Sequence, residues 1–261
     1  EMMKAMIAKP NGIVLVTGPT GSGKTTTLYS CLNFMNSPNI KIITTEDPVE
    51  YDLPGVMQCQ VNEDVGLTYG AALRSILRQD PDMILVGEIR DRETGGIAVE
   101  AALTGHLVLS TLHTNDAPSA TTRMLDLGLE HFLIAATLEA IIAQRLVRKI
   151  CNNCKEYYEP EAEQAMELGL RPEAIAGKKF AFGKGCSRCN STGYKGRMAL
   201  YEMFRINDEI KQMIMDEANV ATLREAGRRH GMRTLRESGQ LAIYDCSTSV
   251  DEVMRETMVL E

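Results

Sequence analysis

The stretch "VTGPTGSGKTTT", Val16 to Thr27, decides how the rest of the chain is read. It continues a short apolar, β-branched run, Ile13 to Thr17, and its glycines stand where a strand turns into a helix. Gly18, Pro19, Thr20, Gly21, Ser22, Gly23, Lys24 and Thr25 fit the spacing G-x-x-x-x-G-K-[ST]. Glycine accepts the backbone angles that let successive main-chain N–H groups converge on one anion. The helix that follows adds the positive end of its dipole. Lys24 is placed to reach the terminal phosphates and Thr25 to hold Mg²⁺, with Thr26 completing the nucleotide-binding set.

Working outward, apolar runs alternate with helical patterns. Strands are expected at 13–17, 40–45, 83–87 and 107–111, and helices at 24–36, 68–79, 93–103, 117–127 and 130–148. The loop from Glu46 to Gly66 carries Pro48, Pro54 and Gly55 and is read as irregular, with room for a short hairpin. Such alternation implies a parallel sheet with helices on both faces. Ligands of such sheets sit at the carboxyl ends of the strands. The chain opens helically from Glu1 straight into the first strand, and is read as a fragment whose N-terminal part is missing.

Every polar motif falls at one of those strand ends. In "MILVGEIRD", Gly87 stands where a metal-binding Asp is usual, and Glu88 follows it as a candidate to orient water. "TTEDPVEY" ends the second strand with Glu46, Asp47 and Glu50. "TGHLVLSTLHTND" places His106 before the fourth strand and His113 after it. Their odd spacing on an extended run points them to opposite faces, so they make a poor joint metal site. His113, at the carboxyl end, is placed to sense the γ-phosphate.

With 261 residues, 44% of them hydrophobic, the chain can hold one large α/β domain and something smaller. Acids outnumber bases 35 to 28, for a formal net charge of −7, which speaks against a nucleic-acid partner. No apolar run approaches the roughly 18 residues of a membrane span, and no signal-peptide pattern is visible. Four of the seven cysteines form two C-x-x-C pairs, Cys151 with Cys154 and Cys186 with Cys189. Four thiolates suit tetrahedral Zn²⁺ in a closed, structural role. The spacer 155–185 is longer than the usual 15–20 or so residues, so a small helix at 160–168 is expected inside it. A segment too small to bury its own core would be stapled by the metal. The chain thus divides into 1–150, 151–205 and a helical remainder, 206–261. Asn207 or Asp208 is expected to cap one of the last helices, and Ser249 or Thr248 the final one, with Val253, Met254 and Met258 behind it.

GPTGSGKT, EDPVEY, ILVGEIRD and TGHLVLSTLHT, in that order, resemble the secretion ATPase superfamily that drives type II secretion and type IV pili. The intervening "LRSILRQDPDMILVGEIRDRETGGIAVEAALTGH" matches as well, so the resemblance covers nearly the whole chain. It implies a RecA-like phosphate-loop core and Mg-dependent ATP hydrolysis supported by Lys24, Glu88 and the Glu46 box, with His113 lining the nucleotide. It further implies a homo-hexameric ring on the cytoplasmic side of the inner membrane, working with a membrane platform protein. The arginines that complete the site come mainly from a preceding domain in that family, so the fragment alone is expected to turn over weakly. Retraction ATPases of the family lack the cysteine knuckle. "HTNDAPSATTRMLDLG" and "GYKGRMALYEMF" resemble the pilus-extension branch, with type II secretion as the alternative. Two rivals stand beside this reading. One is a DNA translocase, disfavoured by the acidic balance and the lack of an aromatic-basic stripe. The other is a nucleotide-binding scaffold that scarcely hydrolyses.

Overall fold

Short apolar runs that end in glycine or polar residues become strands in the computed structural model, which describes residues 2–258. Helix α1 (Met2–Ile7) leads into β1 (Gly12–Thr17) and α2 (Lys24–Met35). Next come β2 (Ile42–Glu46), β3 (Met57–Gln60), α3 (Tyr69–Ile76), β4 (Met83–Val86) and α4 (Arg92–Leu103). They are followed by β5 (Leu107–Leu112), α5 (Ser119–Asp126), α6 (His131–Thr137) and β6 (Leu138–Ile150). The Cys-rich region holds β7 (Lys155–Tyr158), α7 (Ala162–Glu167), β8 (Phe180–Gly183) and the long β9 (Tyr194–Arg205). Four helices follow: α8 (Asp208–Met215), α9 (Val220–Arg229), α10 (Leu235–Tyr244) and α11 (Val250–Thr257).

Seven strands form one sheet in the order β3-β2-β4-β5-β1-β6-β9. Strands β1 to β5 are mutually parallel, and β6 runs parallel to β1. Strands β1, β2, β4 and β5 are buried along their whole length, as a parallel sheet covered on both faces requires. The mostly parallel α/β core expected from the alternating pattern is present. By compactness the chain forms two units, 1–143 with 203–232, and 144–202 with 233–261. Helices α8 and α9 therefore belong with the sheet, and α10 and α11 with the Cys-rich region.

One local reading changes outright, and two are refined. The helix expected at 130–148 stops at Thr137, and Leu138 to Ile150 is strand β6. Its first half is buried on both faces, so the residues show no two-fold alternation, and periodicity cannot separate such a run from a buried helix. In the 46–66 loop β3 adds to β2 in parallel, and the antiparallel pairing is confined to a single bridge between Asn62 and Leu67 that closes the turn after it. The Cys-rich region also buries a small core, with Leu168, Ile175 and Phe180 packing on Ile243, Val250 and Val253. The segment 151–205 does not bury this core by itself, as its size suggested; the C-terminal helices supply half of it.

The capping predictions hold. The Asn207 side chain accepts from the Ile210 N–H at 2.9 Å, and the Ser249 hydroxyl accepts from the Glu252 N–H at 3.3 Å. Thr248 instead donates to the Arg148 carbonyl. Val253 is buried behind the final helix, whereas Met258 is exposed.

Candidate functional site

The phosphate loop takes the shape its glycines allow. Gly18, Gly21 and Gly23 have φ of 145°, 80° and 86°, and Gly23 in the left-handed region is the N-cap from which α2 starts at Lys24. The Lys24 ammonium donates to the loop's own carbonyls, Gly18 at 2.9 Å and Pro19 at 3.1 Å. Ser22 is buried; Pro19, Thr20, Gly21 and Thr26 are exposed; Thr25 is half-buried in the first turn.

The other motifs emerge at the same edge because the strands are parallel and in register. Thr17 ends β1 opposite Leu112 of β5, and Val86 ends β4 opposite Ser110. Neighbouring strands lie about 4.8 Å apart and each residue rises about 3.3 Å, so the ends of β1 and β4, two strands across and two residues staggered, are separated by about 12 Å. The turn after β5 is tied to the start of the phosphate loop: the Thr114 hydroxyl donates to the Thr17 hydroxyl at 2.8 Å.

Glu88 stands just past β4. Its Oε1 lies 3.1 Å from His113 Nε2, and its Oε2 accepts from Arg90 Nε at 2.7 Å. The hydrogen bond that it donates to Glu88, above all, holds the Arg90 guanidinium more firmly protonated. Arg90 also lies over the Tyr69 ring, and burial pushes the Tyr69 phenol up to about 12. Gly87 has a steric reason. A Cβ there would come 2.9 Å from the Tyr69 hydroxyl and 3.2 Å from the Thr45 carbonyl, so an Asp does not fit without a shift. The Thr111 hydroxyl donates to the Gly87 carbonyl at 2.7 Å and steadies the turn that carries Glu88.

Glu46 ends β2 and is only 3% exposed. Its carboxylate accepts from the hydroxyls of Tyr29 and Thr44 and from the Gln58 amide. His106 sits at the opposite end of β5, its Nδ1 2.9 Å from the Ala101 carbonyl near the end of α4. The structure thus brings Lys24, Glu88 and His113 to one edge and leaves His106 away from it. Neither Arg90 as the partner of Glu88 nor Thr114 as that of Thr17 was expected from the sequence. Arg74 pairs with Glu93.

In the second unit, the Sγ atoms of Cys151, Cys154, Cys186 and Cys189 all lie within 4.8 Å of one another. Individual separations are 3.9 Å for Cys151 and Cys186, 3.8 Å for Cys154 and Cys189, and 3.7 Å for Cys186 and Cys189. None of the seven cysteines is in a disulfide. A tetrahedron of thiolates around a centre at about 2.3 Å has edges of about 3.8 Å, so the set is spaced for a metal. The Asn153 amide, donating to Sγ at 3.3 Å, leads the groups that lower the Cys186 thiol to about 6.

Residues 1–255 match the family model described as type II/IV secretion system protein. The chain belongs to that family. A type IV pilus assembly ATPase, PilB of Thermus thermophilus, is 49% identical over 258 residues, 99% of this chain and 29% of that protein. The type II secretion system protein HxcR of Pseudomonas aeruginosa is 50% identical over 252 residues, 97% of this chain and 50% of its own length. The chain therefore spans half or less of these relatives. The solved pilus retraction motor PilT with bound ADP aligns with a TM-score of 0.72 at 30% identity, covering 98% of this chain and 64% of that one. The Legionella pneumophila ATPase DotB, at 24% identity and a TM-score of 0.68, shares the fold.

Proposed function

We propose that this chain is the ATP-hydrolysing motor part of a type IV pilus assembly machine, working in a hexameric ring at the cytoplasmic face of the inner membrane. The observation that carries the reading is the meeting, at one sheet edge, of the phosphate loop, Glu88 and His113. Lys24 would exchange its loop carbonyls for the β- and γ-phosphates of ATP, and the N–H groups of the loop and first turn of α2 would bind the remaining oxygens. Thr25 would hold Mg²⁺, which neutralises charge developing on the phosphates. Glu88, steadied by Arg90 and His113, would orient the attacking water. The Glu46 box supplies supporting carboxylates. Zn²⁺ on Cys151, Cys154, Cys186 and Cys189 would hold the second unit together and, with no open position, takes no part in hydrolysis.

Work on pilin polymerisation would pass through partners such as an inner-membrane platform protein. Among the described residues no helix is long and apolar enough to cross a membrane. The near-equal identity to HxcR favours a second reading, a type II secretion ATPase driving pseudopilus assembly. Restoring pili, but not secretion, to cells lacking the respective ATPase separates the two. In the ring-forming protein, Glu88→Gln is expected to bind Mg-ATP as wild type does and to lose hydrolysis by about 10²–10⁴-fold. Unchanged turnover would leave a scaffold rather than a motor. For this chain alone binding is the readout, since a missing arginine can cost about 10³–10⁵ in rate.

A further inference from the structure

The acidic box at the end of β2 has an inner and an outer part. Asp47 and Glu50 are exposed, and Asp47 reaches Arg90 at 4.0 Å. Glu46 is enclosed. Its Oε2 accepts from the Tyr29 hydroxyl, and its Oε1 accepts from the Thr44 hydroxyl at 2.5 Å and the Gln58 amide at 3.2 Å. Both oxygens of this carboxylate are therefore engaged, by the buried Tyr29 and Thr44 hydroxyls and the half-buried Gln58 amide, which leaves a poor position for taking a proton from water.

Tyr29 is fully buried on α2, the helix that Lys24 opens. Its hydroxyl donates to Glu46 and accepts from the Glu50 main-chain N–H and from Gln58 Nε2, each at 3.2 Å. Its ring meets Tyr51 edge-on at 4.8 Å between centroids. One hydroxyl thus joins the phosphate-loop helix, the end of β2, the acidic turn and the edge strand β3.

We propose that Tyr29 is a positioning residue for hydrolysis. Seated on Glu46, its hydroxyl fixes the main chain at Glu50, and with it the outer carboxylates, relative to the helix that starts at Lys24. Glu46 is the anchor of that strap and not the acid that primes water. Removing the hydroxyl leaves the Glu50 N–H and one Glu46 oxygen without their partner, a loss that acts on placement and not on the phosphate loop itself. The proposal rests on the ATPase reading above.

The test compares wild type, Tyr29→Phe and Glu46→Gln in the ring-forming protein, by Mg-ATP calorimetry and by steady-state hydrolysis across pH. Tyr29→Phe is expected to keep Mg-ATP affinity and KM within about threefold while kcat falls about tenfold. Glu46→Gln keeps an amide oxygen for the Tyr29 hydroxyl. It is expected to lose only about threefold in kcat and to leave the acid limb of the pH–kcat profile where it was. Wild-type kcat in Tyr29→Phe overturns the proposal. So does a Glu46→Gln variant that loses about 10³ in kcat or moves the acid limb, because Glu46 is then the base. If Tyr29→Phe does not fold, the acid limb of Glu46→Gln decides alone. A wild-type protein that neither binds nor hydrolyses ATP overturns the ATPase reading itself, which is a different result from either.

Discussion

At the carboxyl edge of β1, β4 and β5, polar groups converge but stay available. The Lys24 ammonium rests on carbonyls of its own loop, and the His113 side chain beside Glu88 is 48% exposed. In the Cys-rich unit the converging groups face one another, with Cys151 and Cys189 buried and the Asn153 amide closing on Cys186. The first arrangement keeps room for a ligand that comes and goes. The second is a closed set, spaced for a metal that would contribute to folding. Glycine serves the nucleotide edge in two ways. Around Lys24 it supplies left-handed backbone, and at position 87 it supplies space beside Tyr69.

Chelation separates the two regions most sharply. Structural zinc contributes on the order of 10 kcal/mol to small four-Cys folds. Near-stoichiometric zinc is expected by elemental analysis. Its removal is expected to speed amide exchange across residues 151–193 while β1 to β5 stay protected. Persistent protection of the Cys-rich segment without metal would break the contrast, because the core of Leu168, Phe180 and Ile243 would then suffice by itself.

Gly87→Ala tests the crowded side of the nucleotide edge. Forcing a methyl against the Tyr69 hydroxyl and the Thr45 carbonyl is expected to cost about 1–3 kcal/mol in denaturant melts. Tyr69→Phe in the same chain should return part of it. A neutral Gly87→Ala would mean that the glycine is there for another reason.

A smaller effect is expected at Glu252 in the second unit. Burial would raise its carboxyl, but hydrogen bonds from the Arg148 side chain and N–H outweigh it and hold the group below its ordinary range. A carboxyl lowered on folding contributes stability above its unfolded value, near pH 4.3, and loses it as pH falls through the folded value. Glu252→Gln is expected to cost about 1–2 kcal/mol at neutral pH, discounted because Arg148 is partly exposed, and nothing in acid. Equal losses at pH 7 and pH 3 would contradict the assignment.

The nucleotide edge was legible because its signals are local. A glycine spacing is contained within a few residues, as is an apolar run with a carboxylate two positions past its end, and the parallel sheet brings the separate signals together. Strand β6 was not legible, because what makes Leu138 to Ile150 extended is pairing with β1 and β9, far away in the chain. The Tyr29 strap was hidden for a related reason. In sequence Tyr29 reads as one more apolar residue of α2, and only the fold sets its hydroxyl on Glu46. The metal set was visible as two C-x-x-C pairs, but the helices that share its unit could not be assigned from spacing.

The central claim is that the main-chain amides around Lys24 bind the phosphates of a magnesium nucleotide at the edge where Glu88 waits. Titration of this chain with Mg-ATP in a calorimeter tests it most directly, with Lys24→Ala alongside. The account predicts one site per chain in the wild type and an affinity at least about 100-fold lower in the variant, as expected when a charged phosphate contact is removed. No heat of binding in the wild type, or equal affinity in both, would contradict it.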